Sequence, residues 1–429
     1  MADQASNDQR LRLSRRAALV GLAATGAAGI VPMAEATVED AAGPVFSPSG
    51  PKADFYGAAE NYPIRDASLG FVPGNPLQPK YRVGAFSHYA ELFPTSRIKR
   101  ATTPWQFKRA LAGLTNPFRE RVNDYLSRQP VTGLLIAKND QILFEHYQYG
   151  RTDRDLLLSQ SMAKSIAGLL IGMAVGDGAI KSVDDTAETY VPDLKGTEYG
   201  ATPLRALLHM SSGVDFGEER DQGRDLDRLW IDMVRGAGSK GTIASITQFN
   251  RRIAPPGTRF YYASIEPDVL GLVLHYALNK SASDYLREKI WEPIGSEADA
   301  KWLIDAEGFE VAHHGFNAVL RDYARLGRLL AHDGAWEGKQ IIPAQWMLEA
   351  TTTRPSDAYL APGRTGPQSF GYGYLMWLLP GTRRQFTPIG FYGQRILVDP
   401  ASKLVMVQTA LDNNDEVGRL WSEVVKTFG

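Results

Sequence analysis

The sequence contains no cysteine, which excludes disulfides, thiolate metal sites and a cysteine nucleophile. It also has no surplus of charge. The 47 basic and 48 acidic residues leave a net charge of −1, so nothing electrostatic points to nucleic acid or an anionic membrane surface as partner. Histidine is scarce, with seven in 429 residues. None stands in His-Glu-x-x-His or a related metal spacing, and the one adjacent pair, His313-His314, reads as a turn or packing feature. No metal or other cofactor is expected. Gly-x-Ser-x-Gly occurs nowhere, which removes the strained elbow that common Ser-His-Asp hydrolases require. A run long enough to span a bilayer, about 20 apolar residues, is missing as well.

What is present is ordinary globular composition, 44% hydrophobic and 22% charged, in a chain long enough to bury a large core. The N-terminus is organised differently. Arg10, Arg12, Arg15 and Arg16 precede the uncharged run Ala17–Val31, and Ala34-Glu35-Ala36 offers a small-x-small cleavage site. Ser14-Arg15-Arg16-Ala17-Ala18-Leu19 resembles a twin-arginine export signal. Residues 1–36 are therefore expected to be a removed leader and the mature protein to be periplasmic or secreted, with a retained leader as the alternative.

Residues 37–114 read as an extended lead-in. Its first half is rich in Pro, Gly and Ala, and its second carries isolated aromatics (Tyr81, Phe86, Tyr89, Phe93, Trp105) that should lie against a folded body. Regular structure is expected from Asn116-Pro117, where proline suits a helix start. Val131–Ala137 and Gln141–Tyr147 flank Lys138-Asn139-Asp140 as strand–turn–strand. The middle of the chain, about 180–350, is mostly helical in pattern. Strand character returns at Arg395–Asp399 and Lys403–Gln408, and a helix near 415–427 closes the chain. This order predicts an α/β protein of the α+β type: one antiparallel sheet from N- and C-terminal segments, flanked by helices, with a mostly helical lobe inserted. The main domain should span 115–429.

Ser161-Met162-Ala163-Lys164 carries the chemistry. Positions three apart share a helix face, and the apolar run Ile166–Val175 behind them predicts a buried helix. An amine held there is disfavoured in its charged form and becomes available as a base, so the serine beside it is an activated nucleophile. Ser49-Gly50-Pro51-Lys52 and Ser96-Arg97-Ile98-Lys99 match the same spacing but open no apolar helix. A second proton-handling group stands in Pro256-Gly257-Thr258-Arg259-Phe260-Tyr261-Tyr262-Ala263-Ser264. On an extended segment Tyr262 and Ser264 share one face.

Taken in order, several segments resemble the penicillin-recognising serine hydrolase superfamily in its class C β-lactamase-like branch. They are Ser161-Met-Ala-Lys164, Asp184-Asp185 with Tyr190-Val-Pro-Asp193, Leu207–Gly213, Pro256-Gly257 with Tyr262-Ala-Ser264, Arg321–Gly327, and Gly390–Pro400. The resemblance implies Ser161 as acyl-accepting nucleophile, Lys164 as general base and Tyr262 as proton relay. It implies an oxyanion hole from the backbone N–H of Ser161 and that of Phe391, with Tyr392 as the alternative. Ser264, Asn317, Tyr392 and Gln394 become candidate substrate contacts.

Two departures narrow the substrate. The Lys-Thr-Gly triplet that meets a substrate carboxylate in penicillin-binding members is absent, and Phe386-Thr-Pro-Ile-Gly390 stands near its place. Ser264 replaces the usual second-motif Asn. Both are shared with the 6-aminohexanoate-dimer hydrolase-like members, so the expected partner is a small linear amide or ester. A β-lactamase or D-alanyl-peptidase of the same fold is the enzymatic alternative, and a non-catalytic binding protein on this scaffold is another. The charged stretch between Gly213 and Pro256 reads as a solvated helix face of alternating charge, the alternative being a lid over the cleft in which one acid meets a substrate ammonium. The sequence does not specify an oligomeric state.

Overall fold

The computed structural model describes residues 43–60, 76–110, 113–218, 225–234, 238–364 and 370–429. The leader expected over 1–36 lies outside the described residues, as do Glu219, Arg220, Asp221 and Arg224 of the charged stretch.

Strands Val131–Lys138 and Leu404–Ala410 form the centre of a ten-stranded sheet and pair antiparallel. Gln141–Tyr147 extends it on one side. On the other side follow Gln394–Asp399, Phe386–Thr387, Trp377–Leu378 and Gly371–Tyr372. N- and C-terminal segments thus build one sheet, as the sequence predicts. Two short additions differ: Val45–Phe46 and Lys108–Arg109 pair parallel with Gln141–Tyr147, so the sheet is mixed.

Alternation along the central strands assigns each face. Leu135, Ala137, Val405 and Val407 enter the larger core. Leu134, Ile136, Leu404 and Met406 enter a smaller one with Phe118, Val122, Trp421 and Val424. With both faces covered, these strands read as nearly continuous apolar runs. Helices Asn116–Arg128 and Glu416–Phe428 cover the smaller core. Met162–Gly176, Ile265–Leu278 and Leu320–Ala331 fill the larger one.

Two features are not legible in the sequence. A four-stranded sheet joins Thr95–Ile98, Ala300–Leu303, Phe316–Ala318 and Leu157–Leu158, from segments too short to show alternation. A helix at Arg82–Leu92 precedes the expected start of regular structure and buries Val83, Ala85, Phe86 and Tyr89. Its apolar residues do not follow one stripe, so it has no recognisable amphipathic period. No helix among the described residues is long and apolar enough to cross a membrane.

Candidate active site

The Met162–Gly176 helix is buried on nearly all sides, as its uninterrupted apolar run requires. Ser161 caps its start, and Gln160 before it holds a left-handed φ of 48°. A non-glycine residue in that region is uncommon and costs about 1–3 kcal/mol, so the chain enters this helix by a strained turn. Lys164, one turn along, is 2% exposed. Its Nζ donates to Ser161 Oγ at 2.8 Å and to the His313 carbonyl at 3.0 Å. Nζ also lies 5.1 Å from the centre of the Tyr262 ring. Ser161, Lys164 and Tyr262 therefore meet.

The Tyr262 ring stacks on Trp377 (centroids 5.6 Å apart) and stands edge-on to Tyr372 at 6.3 Å. Phe260 packs on the same Tyr372 and Trp377. An aromatic wall thus fixes the tyrosine beside Lys164. Behind Lys164, Asp268 of the Ile265–Leu278 helix accepts from the His313 backbone N–H at 3.1 Å and contacts its Nδ1 at 2.7 Å. This carboxylate holds the turn whose carbonyl receives the lysine. The sequence alone does not single out Asp268; an acid inside a mostly apolar helix is the signal it offers. His314 packs edge-on to Tyr89 and Trp230, so the histidine pair has the turn and packing role expected of it.

The remaining sequence candidates fall in different places. Ser264 is buried, and Glu218 accepts from both its N–H (2.7 Å) and its hydroxyl (2.5 Å). Glu218 is thus, among the described residues, an acid of the charged stretch that reaches the Tyr262 loop. Two residues beyond Ser264, burial pushes the Glu266 carboxyl up to about 8, against the hydrogen bonds from Ser212 that pull it down. Asn317 is fully buried on the strand beside Leu158; its Nδ2 donates to Gly315 O at 2.7 Å and its Oδ1 has no protein partner. The Gln160 amide is buried and unpartnered too.

Gln394 is expected from the sequence to touch substrate, and its geometry serves another purpose. It is 1% exposed. Its Nε2 donates to the carbonyls of Phe391, Tyr392 and Ala410, while its Oε1 accepts from the Ala410 N–H. A side chain saturated by backbone shapes the 391–393 turn. That turn lies close to the start of the Ser161 helix. At Gly390 an added Cβ would run into the Ser159 carbonyl oxygen and sit 2.9 Å from Gln160 Cβ, so only glycine permits this approach. Phe391 is 40% exposed, and Tyr392 adopts a left-handed φ of 62°.

The fold and sequence are shared with known proteins. The Beta-lactamase family model matches residues 118–420. The chain belongs to the Beta-lactamase family. It is 25% identical over 333 residues to the 6-aminohexanoate-dimer hydrolase of Paenarthrobacter ureafaciens, covering 76% of this chain and 84% of the relative. A solved candidate 6-aminohexanoate-dimer hydrolase from Bacillus anthracis superposes with a TM-score of 0.72 at 24% identity, covering 85% of this chain and 97% of that one. A family VIII carboxylesterase shares the fold with a TM-score of 0.55 at 16% identity, over 72% of this chain and 95% of its own. The protein is a hydrolase-family member with the β-lactamase fold, related to 6-aminohexanoate-dimer hydrolase.

Proposed function

We propose that this family member is a serine hydrolase that cleaves linear amides or small esters through an acyl-enzyme on Ser161. The observation that carries the reading is the 2.8 Å contact between Lys164 Nζ and Ser161 Oγ on a buried helix start. In the reacting form Lys164 is neutral and takes the hydroxyl proton as Oγ attacks the substrate carbonyl. The negative charge that develops on the carbonyl oxygen is met by the N–H groups of Ser161 and Phe391, worth about 3–4 kcal/mol for each donor. Tyr262 passes a proton to the leaving amine or alkoxide and is reprotonated through Lys164. Water then hydrolyses the ester on Ser161 by the same relay.

The open-chain substrate class rests on the missing Lys-Thr-Gly triplet, on Ser264 tied to Glu218, and on the activities named for the relatives. Mass spectrometry after a fluorophosphonate tests the nucleophile. A single adduct on Ser161 is expected, and a folded protein that stays unlabelled rejects the enzyme reading in favour of a binding protein. A panel of aminohexanoate amides, short p-nitrophenyl esters and nitrocefin tests the substrate class. Amide or ester turnover well above nitrocefin turnover is expected; comparable rates would favour a β-lactamase. Export is a further part of the proposal, and replacing Arg15 and Arg16 by lysine should retain the protein in the cytoplasm of a bacterial host.

A further inference from the structure

The segment ahead of residue 118 lies outside the family match, yet it reaches the turn that follows Gly390. We infer that Arg82 of this segment is a positioning residue for the oxyanion donor: its guanidinium braces Tyr392 and so holds the Phe391 N–H at the nucleophile. The inference rests on the proposed reading of that N–H as donor.

The guanidinium carbon lies 3.8 Å from the Tyr392 ring centre, at stacking distance and with the polarity of a cation over an aromatic face. The fork is anchored at its edges. Nε donates to Leu77 O at 2.9 Å and Nη1 to Leu411 O at 2.8 Å, and Nη1 lies 3.7 Å from Asp412 Oδ2. Asp412 in turn accepts from the Tyr56 hydroxyl at 2.9 Å. Phe86, one helical turn beyond Arg82, packs on the same tyrosine with centroids 5.7 Å apart.

Such a brace answers a specific need. Tyr392 holds φ 62° and Gly393 holds φ 87°, two left-handed residues in succession, and the tyrosine bears a strain that glycine would not. Backbone in that region persists only where its surroundings over-determine it. Gln394 pins the turn from the sheet side through the Phe391 and Tyr392 carbonyls. Arg82 and Phe86 pin it through the ring. With the guanidinium gone, Tyr392 can relax toward negative φ; that rotation turns the Phe391–Tyr392 peptide, and the Phe391 backbone that presents the preceding N–H loses its anchor with it. A donor loosened but not removed forfeits part of the hundred- to thousandfold that its loss costs.

Arg82→Ala and Arg82→Lys should be compared with wild type on a short p-nitrophenyl ester, with folding followed by circular dichroism. In Arg82→Ala we expect kcat to fall by about 10- to 30-fold, within the range of a donor's full loss, with KM nearly unchanged. Affinity for phenylboronic acid, whose adduct on Ser161 carries the tetrahedral oxygen, should fall in step with kcat. Lysine restores the cation but not the fork over the ring and carbonyls, so Arg82→Lys should lie between the two; it decides the question if Arg82→Ala does not fold. Folded variants with wild-type kcat, or with a rise in KM alone, overturn the inference. So does a loss of activity that only matches the unfolded fraction while boronate affinity of the folded protein stays constant. Wild-type protein left unlabelled by fluorophosphonate instead removes the hydrolase reading, and this inference with it.

Discussion

At the scale of single residues, the site depends on polar groups taken out of water and held by named partners. Lys164 has two of its contacts fixed, the Ser161 hydroxyl and the His313 carbonyl. Lys164→Ala should therefore lower kcat by about a hundred- to ten-thousandfold, the usual worth of a positioned proton acceptor, while substrate binding is kept. Single-turnover kinetics separate the two, and unchanged acylation would reject the assignment. Glu266 makes a different prediction. Its folded carboxyl is raised to about 8 from an ordinary 4.5, first by burial. The unfolded chain therefore loses this proton at lower pH than the folded one. The contribution to stability is fully present below the unfolded value and is lost as pH rises toward about 8, by about 1.4 kcal/mol per unit of displacement. Glu266→Gln keeps the acceptor for Ser212 and carries no charge. Its melting temperature should match wild type near pH 5 and exceed it at pH 8; parallel curves would show that the carboxyl ionises normally.

Helix and strand contacts constrain the chemistry next. The Met162–Gly176 helix packs so closely that Gly172 has no room for a larger side chain. A Cβ added at Gly172 would clash with the Trp346 ring, itself packed against Tyr374 with centroids 4.9 Å apart. Helix propensity alone favours Gly172→Ala by about 1 kcal/mol. Overpacking a core against a ring that cannot retreat costs about 1–3 kcal/mol, and it should win. The variant is expected to melt below wild type, by calorimetry; a higher melting point would mean that Trp346 moves freely.

Across the whole molecule, described residues 76–110 are tied into the body by charged hydrogen bonds as well as apolar packing. Arg325, fully buried, donates to the Trp105 carbonyl from Nε (2.9 Å) and Nη2 (2.6 Å) and pairs with Asp322 and Glu297 at 2.8 Å each. Removing one partner of a buried pair leaves the other uncompensated, at a cost of about 3–5 kcal/mol. Arg325→Met should lose about that much in urea denaturation. A loss under 1 kcal/mol would place Asp322 in contact with water. The same segment supplies Arg82 to the 391–393 turn.

Much of this architecture is legible in the amino-acid order. The buried helix, the central strands and the Ser161–Lys164 pair each rest on short-range periodicity: 3.6 for the helix face, 2 for the strands, three positions between hydroxyl and amine. Such patterns are local, and burial only enforces them. Tyr262 is marked by its motif, just ahead of the helix that starts at Ile265. What the sequence does not disclose joins residues far apart in the chain. The Asp268 clamp on His313, the capture of Ser264 by Glu218, the diversion of Gln394 to the backbone and the stacking of Arg82 on Tyr392 have no period and no fixed spacing. The amino-acid order determined that a hydroxyl and an amine share one face of a buried helix. Only the tertiary structure decided which neighbours hold them, because those neighbours are brought together by packing and not by the chain.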